Sequence, residues 1–313
     1  MVGKRILLHT TFLFLLPVVV ATWGLSVGSA IGLVLLMLWW RWMISLSAFV
    51  FPEQVPRLVL ETISASHFVE KVRWNMDRAG LEYVEKPSGG TLGAYFAGRT
   101  VPRLRVRTGA TRAQIGNSPE ILRFLWGAYS AVADVDVSHL EPTPDRLELE
   151  KRLDRYGAHL QIWIYHHVLA DRNLTLRLWG AHCADVPVWQ RGLLRILFPL
   201  QALLVRKSFR ITPENYARAQ HSIDELLSEI EATLSDGRAS ILGGETINFT
   251  DIAFAAMTGL WLQPREYADG KADDVRVTRD RLPEAMQADI ARWSEDHPRT
   301  VVWVEQLYAN ERS

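Results

Sequence analysis

The clearest structural pattern in this chain lies in residues 57–85, RLVLETISASHFVEKVRWNMDRAGLEYVE. Its first part, Arg57–Ile63, is dense in leucine, valine and isoleucine and predicts a short buried strand. The apolar spacing over Phe68–Ala79 predicts a helix, which Gly80 ends. A second short strand is predicted at Leu81–Glu85. The stretch therefore predicts a strand–helix–strand unit.

The residues that follow extend this unit. Two further strands are predicted at Thr100–Val106 and Thr111–Ile115. A helix is predicted over Pro119–Trp126, because Asn117 and Ser118 before it are both good N-cap residues. The order strand, helix, strand, loop, strand, strand, helix is that of a thioredoxin-type fold. We assign this domain to residues 56–128.

A second, wholly helical domain is predicted at residues 145–313. Asn248 and Asp251 have the spacing of a capping box, which places a helix start just before an apolar run. Residues 264–282 are charged and predict a surface excursion. The predicted helices are Leu147–Leu169, Pro213–Leu234, Asn248–Leu262, Pro283–Glu295 and Arg299–Asn310.

The N-terminal segment has a different character. Between Ile6 and Trp40 there is no Asp, Glu, Lys or Arg. Such a run is longer than the roughly 20 residues of one perpendicular span, so residues 1–52 predict a membrane anchor. Two arrangements fit: a helical hairpin, or one tilted span with an interfacial remainder. Lys4 and Arg5 precede the run, and Arg41 lies in the second apolar half, Ala30–Phe51. These charges predict a lipid-bound protein whose folded domains face the cytoplasm.

Composition excludes several functions. The chain has 313 residues, with Lys plus Arg equal to Asp plus Glu at 35 each, so nothing in its charge indicates nucleic acid. Cys183 is the single cysteine, which excludes an intrachain disulfide and a cysteine-based metal cluster. His159 and His166 lie two helical turns apart, too far for one metal site of their own. We predict no metal.

Four motifs in order resemble the glutathione transferase superfamily, from about Arg57 to the end of the chain. The first begins at Ser66 and ends in Ala-Gly-Leu-Glu-Tyr. The others are Val101-Pro102, which is similar to the family's cis-proline motif, Asn117-Ser118-Pro119-Glu120-Ile121, and Asn248-Phe249-Thr250-Asp251-Ile252. The resemblance implies an α/β thioredoxin-like N-terminal domain plus an all-α glutathione-transferase C-terminal domain, here preceded by one or two transmembrane helices.

The resemblance also implies site residues. By position Ser66 corresponds to the catalytic serine of the serine-type members, whose hydroxyl donates a hydrogen bond to the thiolate of glutathione, the co-substrate. Ser64 is the second candidate for this role because it lies close to Ser66 in the sequence. Val101 and Pro102 are implied to bind the cysteinyl backbone, and Asn117 and Ser118 the γ-glutamyl end. The implied pocket for a hydrophobic electrophile is lined by Tyr156, His159 and Trp163.

Some residues depart from the family pattern. Asn117 replaces an acidic residue that meets the γ-glutamyl ammonium, so the charge–charge attraction is lost. His67 replaces a common proline, and a histidine at a polar turn is expected to be solvated. Two functions therefore stay open: a membrane-anchored transferase, or a non-catalytic binding or assembly protein of the metaxin-like kind. Family members are commonly dimers, so a homodimer is also an expectation.

The basic, apolar segment Val186–Lys207 has two interpretations. It carries Arg191, Arg195, Arg206 and Lys207 and no acidic residue. That composition is typical of helices that lie on an anionic membrane surface. The alternative is a pair of helices that pack on the core, interrupted at Pro199 in either case.

Overall fold

The computed structural model describes residues 27–48, 56–90, 101–108 and 111–312. The chain divides into two compact units, residues 1–57 with 106–113, and residues 58–105 with 114–313. In the first unit a helix α1 spans Val27–Ala48. Its apolar side chains at Val34, Leu35 and Leu38 are each more than half exposed.

The membrane anchor predicted at residues 1–52 is only partly described. In the part of the chain that the structure covers, no helix combines the length and apolar character needed to cross a bilayer. Residues 1–26 and 49–52 of the predicted anchor lie outside the described residues. The hairpin and the single span both stay predictions.

A four-stranded sheet forms where the sequence predicts one. The strands lie in the order β2-β1-β3-β4, and β1 and β2 are parallel, with Leu58 opposite Tyr83 and Glu61 opposite Lys86. Leu58 and Leu60 are buried, which explains why this stretch becomes a strand at the centre of the sheet. The strands are β1 Arg57–Thr62, β2 Tyr83–Pro87, β3 Arg103–Thr108 and β4 Thr111–Gly116.

The crossover between the parallel strands is helix α2, His67–Arg78. Parallel neighbours require such a connection because a tight turn cannot join them. The helix ends at Gly80, which has a φ of 62°, and the Leu81 amide donates to the carbonyl oxygen of Met76 at 3.0 Å. That bond closes the helix end as a Schellman motif, for which a glycine at positive φ is best suited. The predicted strand–helix–strand unit is confirmed.

Most of the remaining described residues are helical. Helix α9 is buried along nearly its whole length and packs against both α2 and α4. It joins the thioredoxin-like part and the helical part into one unit, because a helix that is apolar all round has to be covered on all sides. The helices are α3 Ser118–Tyr129, α4 Pro144–Val168, α5 Arg172–Leu178, α6 Val188–Ile196, α7 Phe198–Ser208, α8 Pro213–Thr233, α9 Phe249–Leu262, α10 Glu284–Asp296 and α11 Pro298–Glu311.

The predicted capping box at the start of α9 is confirmed. The Asn248 side chain accepts from the Thr250 amide at 2.9 Å, and Asp251 accepts from the Asn248 amide at 2.8 Å. Asp251 also accepts from the Ile241 amide and the Ser240 hydroxyl, each at 2.8 Å. One buried carboxylate thus holds both the helix start and the loop before it.

The prediction for residues 264–282 is wrong in one respect. The segment forms three short 3₁₀ turns, as a surface loop does. Its apolar side chains, however, are buried in the core: Tyr267, Ala268, Ala272, Val275, Val277 and Leu282. Because many charged residues lie between these apolar side chains, the composition of the segment alone does not predict that they are buried.

Candidate functional site

The residues predicted to bind glutathione gather at one end of the sheet. Arg103, the first residue of β3, places its Nε 3.6 Å from Oε2 of Glu61, the next-to-last residue of β1. The end of β1 therefore lies beside the beginning of β3. Ser66 lies four residues after the end of β1, and Val101 lies two residues before the start of β3, so both belong to this edge.

Ser66 caps helix α2 with its backbone alone. Its amide donates to the carbonyl oxygen of Ile63 at 2.9 Å, and its own carbonyl accepts from the Glu70 amide at 2.9 Å. The side chain makes no capping hydrogen bond and is half-buried. The Ser66 hydroxyl is therefore available to a ligand at a helix N-terminus, where free amides and the helix dipole favour negative charge.

The Val101–Pro102 peptide bond is cis, the form that the resemblance implies. The carbonyl oxygen of Pro102 accepts from the Asn117 amide at 3.2 Å. This bond ties the start of helix α3 to the start of β3. Val101 is half-buried and Asn117 is exposed, so both can be reached from the solvent.

Ser118, at the N-terminus of α3, is the unusual residue of the group. Its side chain is fully buried, and its hydroxyl oxygen has no hydrogen-bond partner among the described residues. Asn117 before it has a φ of 73° and makes no capping hydrogen bond, so the capping role expected for these two side chains is not observed. An unpaired buried hydroxyl costs about 1–3 kcal/mol, which a bound acceptor would recover.

His67 differs from the expectation that it is solvated. It is buried, and because the Gly157 carbonyl can only accept, its Nε2–H donates to that oxygen at 3.0 Å. Burial lowers the pKa of His67 from 6.5 to about 4, although the bond to Gly157 opposes the shift. The imidazole is therefore neutral at physiological pH and holds the first turn of α2 against α4.

Two buried charge clusters fix α2 further. Lys71 Nζ lies 2.8 Å from Glu150 Oε1 and 3.0 Å from Asp154 Oδ1, both on α4. Burial lowers the pKa of Lys71, and the Asp154 carboxylate opposes that shift. On the same helix Glu70 accepts from Arg312 at 2.7 Å, which binds the C-terminal end of the chain to α2. These ion pairs set the position of α2, and with it that of Ser66.

The residues predicted to line an electrophile pocket separate into two kinds. Tyr156 and Trp163 are buried in the core of the helical part, and each has its polar atom paired inside the protein. Trp163 Nε1 donates to Asp289 at 2.8 Å, and Tyr156 accepts from Trp261 at 3.1 Å. These contacts give both residues a structural role. His159 is half-buried, and burial lowers its pKa.

A separate polar cluster centres on Asp289 of α10. The sequence analysis did not identify this residue. Asp289 accepts from Trp163, from Tyr216 at 3.2 Å and from Gln220 at 3.0 Å, and His167 Nε2 lies 3.5 Å away. Burial would raise the pKa of Asp289, but these hydrogen bonds outweigh it and lower the pKa. The signal in the sequence is the position of Asp289 between the apolar residues 286, 290 and 293. Over the described residues, no group of three or more His, Cys, Asp or Glu side chains is placed to hold a metal ion.

No family model matches this chain, and no curated protein matches it in sequence. Solved structures do resemble it in fold. One is a glutathione S-transferase from Methylobacterium radiotolerans, in complex with glutathione sulfonate. It is 18% identical, the match covers 81% of this chain and 91% of that one, and the TM-score is 0.47.

Two further structures give similar values. Rice GST1, in complex with glutathione, is 20% identical over 82% of this chain and 95% of its own, with a TM-score of 0.39. A glutathione transferase family member from Pseudomonas fluorescens, with bound S-(propanoic acid)-glutathione, is 16% identical over 80% and 91%, with a TM-score of 0.43. Similarities at this level say nothing about the chemistry of this chain. Its architecture is assigned from the strand order and helix positions given above.

Proposed function

We propose that this chain binds glutathione at the edge formed by Ser66, Val101 and Ser118, and conjugates it through its sulfur to hydrophobic electrophiles. The observation that carries the proposal is the buried, unpartnered hydroxyl of Ser118 at the N-terminus of α3. A helix N-terminus of this kind favours a carboxylate, which the γ-glutamyl end of glutathione supplies.

Ser66 has the role of stabilising the thiolate. Its hydroxyl, which makes no cap, donates a hydrogen bond to the sulfur and favours the charged form of the thiol. A free cysteine thiol has a pKa of about 8.5, so a modest decrease makes the nucleophile abundant at neutral pH. The sulfur then forms a bond to an electrophilic carbon, and the leaving group departs with the electron pair.

The proposal includes attachment to a lipid bilayer through residues 1–52, with the folded units on the cytoplasmic side. It is supported by the charge-free run from Ile6 to Trp40 and by the exposed apolar side chains of α1. A protein held there meets electrophiles that partition into the bilayer. Of the residues predicted to line the pocket, His159 keeps that role in the proposal, because it is half-buried.

One observation favours the second candidate, a non-catalytic binding or assembly protein. Ser118 is fully buried, so a ligand that contacts its hydroxyl has to displace whatever covers it now. Asn117, which is exposed beside it, offers an amide where a carboxylate would attract an ammonium group. In this second function, the fold presents a surface to a protein partner and has no turnover.

The test is isothermal titration of glutathione into the full-length chain in detergent micelles, with Ser118→Ala as the variant. Ser130→Ala is the matched control, because Ser130 is exposed at the other end of the same helix. Removing one hydrogen bond to a charged ligand group is expected to weaken binding about 10- to 100-fold. Because the hydroxyl is unpartnered without ligand, the same variant is expected to raise the melting temperature of the free protein.

The two effects have opposite signs, so damage to the fold cannot produce both. Binding that Ser130→Ala keeps and Ser118→Ala weakens supports glutathione recognition at this helix. A folded protein that takes up no glutathione at millimolar concentrations, on the order of the weakest specific affinities, contradicts the transferase and leaves the assembly protein.

A further inference from the structure

Helices α6 and α7 have two different faces. Their inward side chains, among them Leu194, Phe198 and Val205, are buried in a small apolar core together with Leu169 and Leu176. The core-packing interpretation of residues 186–207 is therefore correct for one face. The opposite face carries large apolar residues that the protein does not cover.

On α7 the uncovered residues form a regular stripe. Leu200, Leu203 and Leu204 are 53%, 48% and 40% exposed, and Lys207 follows one turn later. This spacing of i, i+3, i+4 and i+7 is the pattern by which a helix normally faces a core. Here the inward face of α7 is already occupied, so the stripe is a second apolar face that points to the outside.

Helix α6, which contacts α7, also carries exposed apolar residues. Val188 and Ile196 are 74% and 75% exposed, and they lie on one side of the helix because eight residues complete slightly more than two turns. Gly192 lies between them on that side and adds no bulk. We call these five exposed residues, Val188, Ile196, Leu200, Leu203 and Leu204, the apolar face.

The charged residues along the stretch that contains α6 and α7 all have one sign. From Val186 to Pro213 there is no Asp or Glu, whereas the stretch contains five basic residues: Arg191, Arg195, Arg206, Lys207 and Arg210. Within the described residues, none of the five forms an ion pair with an acidic side chain. A protein partner would need a matching acidic ring, whereas an anionic lipid surface supplies negative charge and an apolar interior together.

We propose that α6 and α7 form a membrane-binding surface, with the apolar face entering the outer part of an anionic bilayer and the basic residues contacting lipid headgroups. The proposal commits to a bilayer as the occupant because of this charge complementarity. It rests on neither glutathione binding nor the N-terminal anchor. Failure of the glutathione titration leaves it unaffected, and the reverse also holds.

The test places an environment-sensitive fluorophore on the apolar face of the full-length chain through Leu204→Cys. The native Cys183 is buried, and burial raises its pKa, so the exposed thiol reacts first. Val302→Cys is the matched control, because Val302 is also an exposed apolar residue, on α11. The labelled proteins are mixed with vesicles of phosphatidylcholine, alone or with phosphatidylglycerol.

We expect the fluorophore at position 204 to shift to the blue with phosphatidylglycerol vesicles and to shift much less with phosphatidylcholine alone. The fluorophore at position 302 is expected to stay unchanged. Adding Arg206→Gln and Lys207→Gln should raise the anionic lipid needed for half of the shift about 30-fold, from the usual contribution of a basic residue near an anionic membrane.

Three results would overturn the proposal. The fluorophore at position 204 does not respond to anionic vesicles, or responds no more than the one at 302. It is already blue-shifted in solution, which means that another segment of this chain covers the face. Its shift follows protein concentration instead of lipid, which means that a second copy covers the face.

Discussion

Protonation of His67 gives the most quantitative prediction. The folded pKa is about 4 and the ordinary value is 6.5, so the stability that depends on neutral His67 is complete above pH 6.5 and decreases as the pH falls toward 4. From these two values, the free energy of unfolding is expected to fall by about 2 kcal/mol between neutral pH and about pH 5 because of this residue alone. His67→Gln keeps an N–H donor for the Gly157 carbonyl and does not titrate. The variant should therefore lose this part of the pH dependence.

The assay is urea unfolding followed by tryptophan fluorescence at both pH values, for wild type and His67→Gln. His139 also has a pKa lowered to about 4 by burial, and it adds the same pH dependence to both proteins. The difference between them therefore isolates His67. His221→Gln is the control for the substitution itself, because His221 is exposed on the protein surface. The reasoning is refuted when wild type and His67→Gln lose the same free energy between the two pH values.

Two further predictions concern packing and capping. A Cβ at Gly259 would lie 2.5 Å from the Tyr308 hydroxyl, so Gly259→Ala should destabilise the protein by about 1–3 kcal/mol. A Cβ at Gly127 would have nothing within 4 Å, so Gly127→Ala should be neutral or stabilising by up to about 1 kcal/mol. Equal melting temperatures for the two alanine variants would contradict this. Asp251→Ala leaves two buried amides without an acceptor, so it should lower the free energy of unfolding in urea by about 2–6 kcal/mol. Asp236→Ala, in an exposed turn, serves as the control. A loss below about 1 kcal/mol for Asp251→Ala would disprove its capping role.

Local rules predicted the sheet and most helices correctly. The strand at 57–62 has the apolar residues Leu58, Val59 and Leu60 at its centre, and Gly80 ends α2 at the expected place because of its positive φ. The helix α9 starts at its capping box. Each of these features depends on residues close together in the chain, which is why the sequence is sufficient to find them.

Features that depend on distant residues were harder to predict. The burial of His67 comes from Gly157, 90 residues further along the chain. The core position of Trp163 depends on its hydrogen bond to Asp289, 126 residues away. Similarly, nothing near Ser118 in the sequence indicates that its hydroxyl is buried without a partner. The site residues could be named from the sequence, but which of them is exposed is decided by tertiary packing.

The central claim is that Ser66 stabilises a glutathione thiolate, and the most direct test is the pH titration of bound glutathione followed by thiolate absorbance in the ultraviolet. The bound thiol is expected to ionise at least about one pH unit below the free value of about 8.5. Ser66→Ala should return the bound thiol to the free value, and Ser64→Ala should leave it lowered. A bound thiol that titrates like free glutathione in the wild type, or the same titration in wild type and Ser66→Ala, would contradict the account.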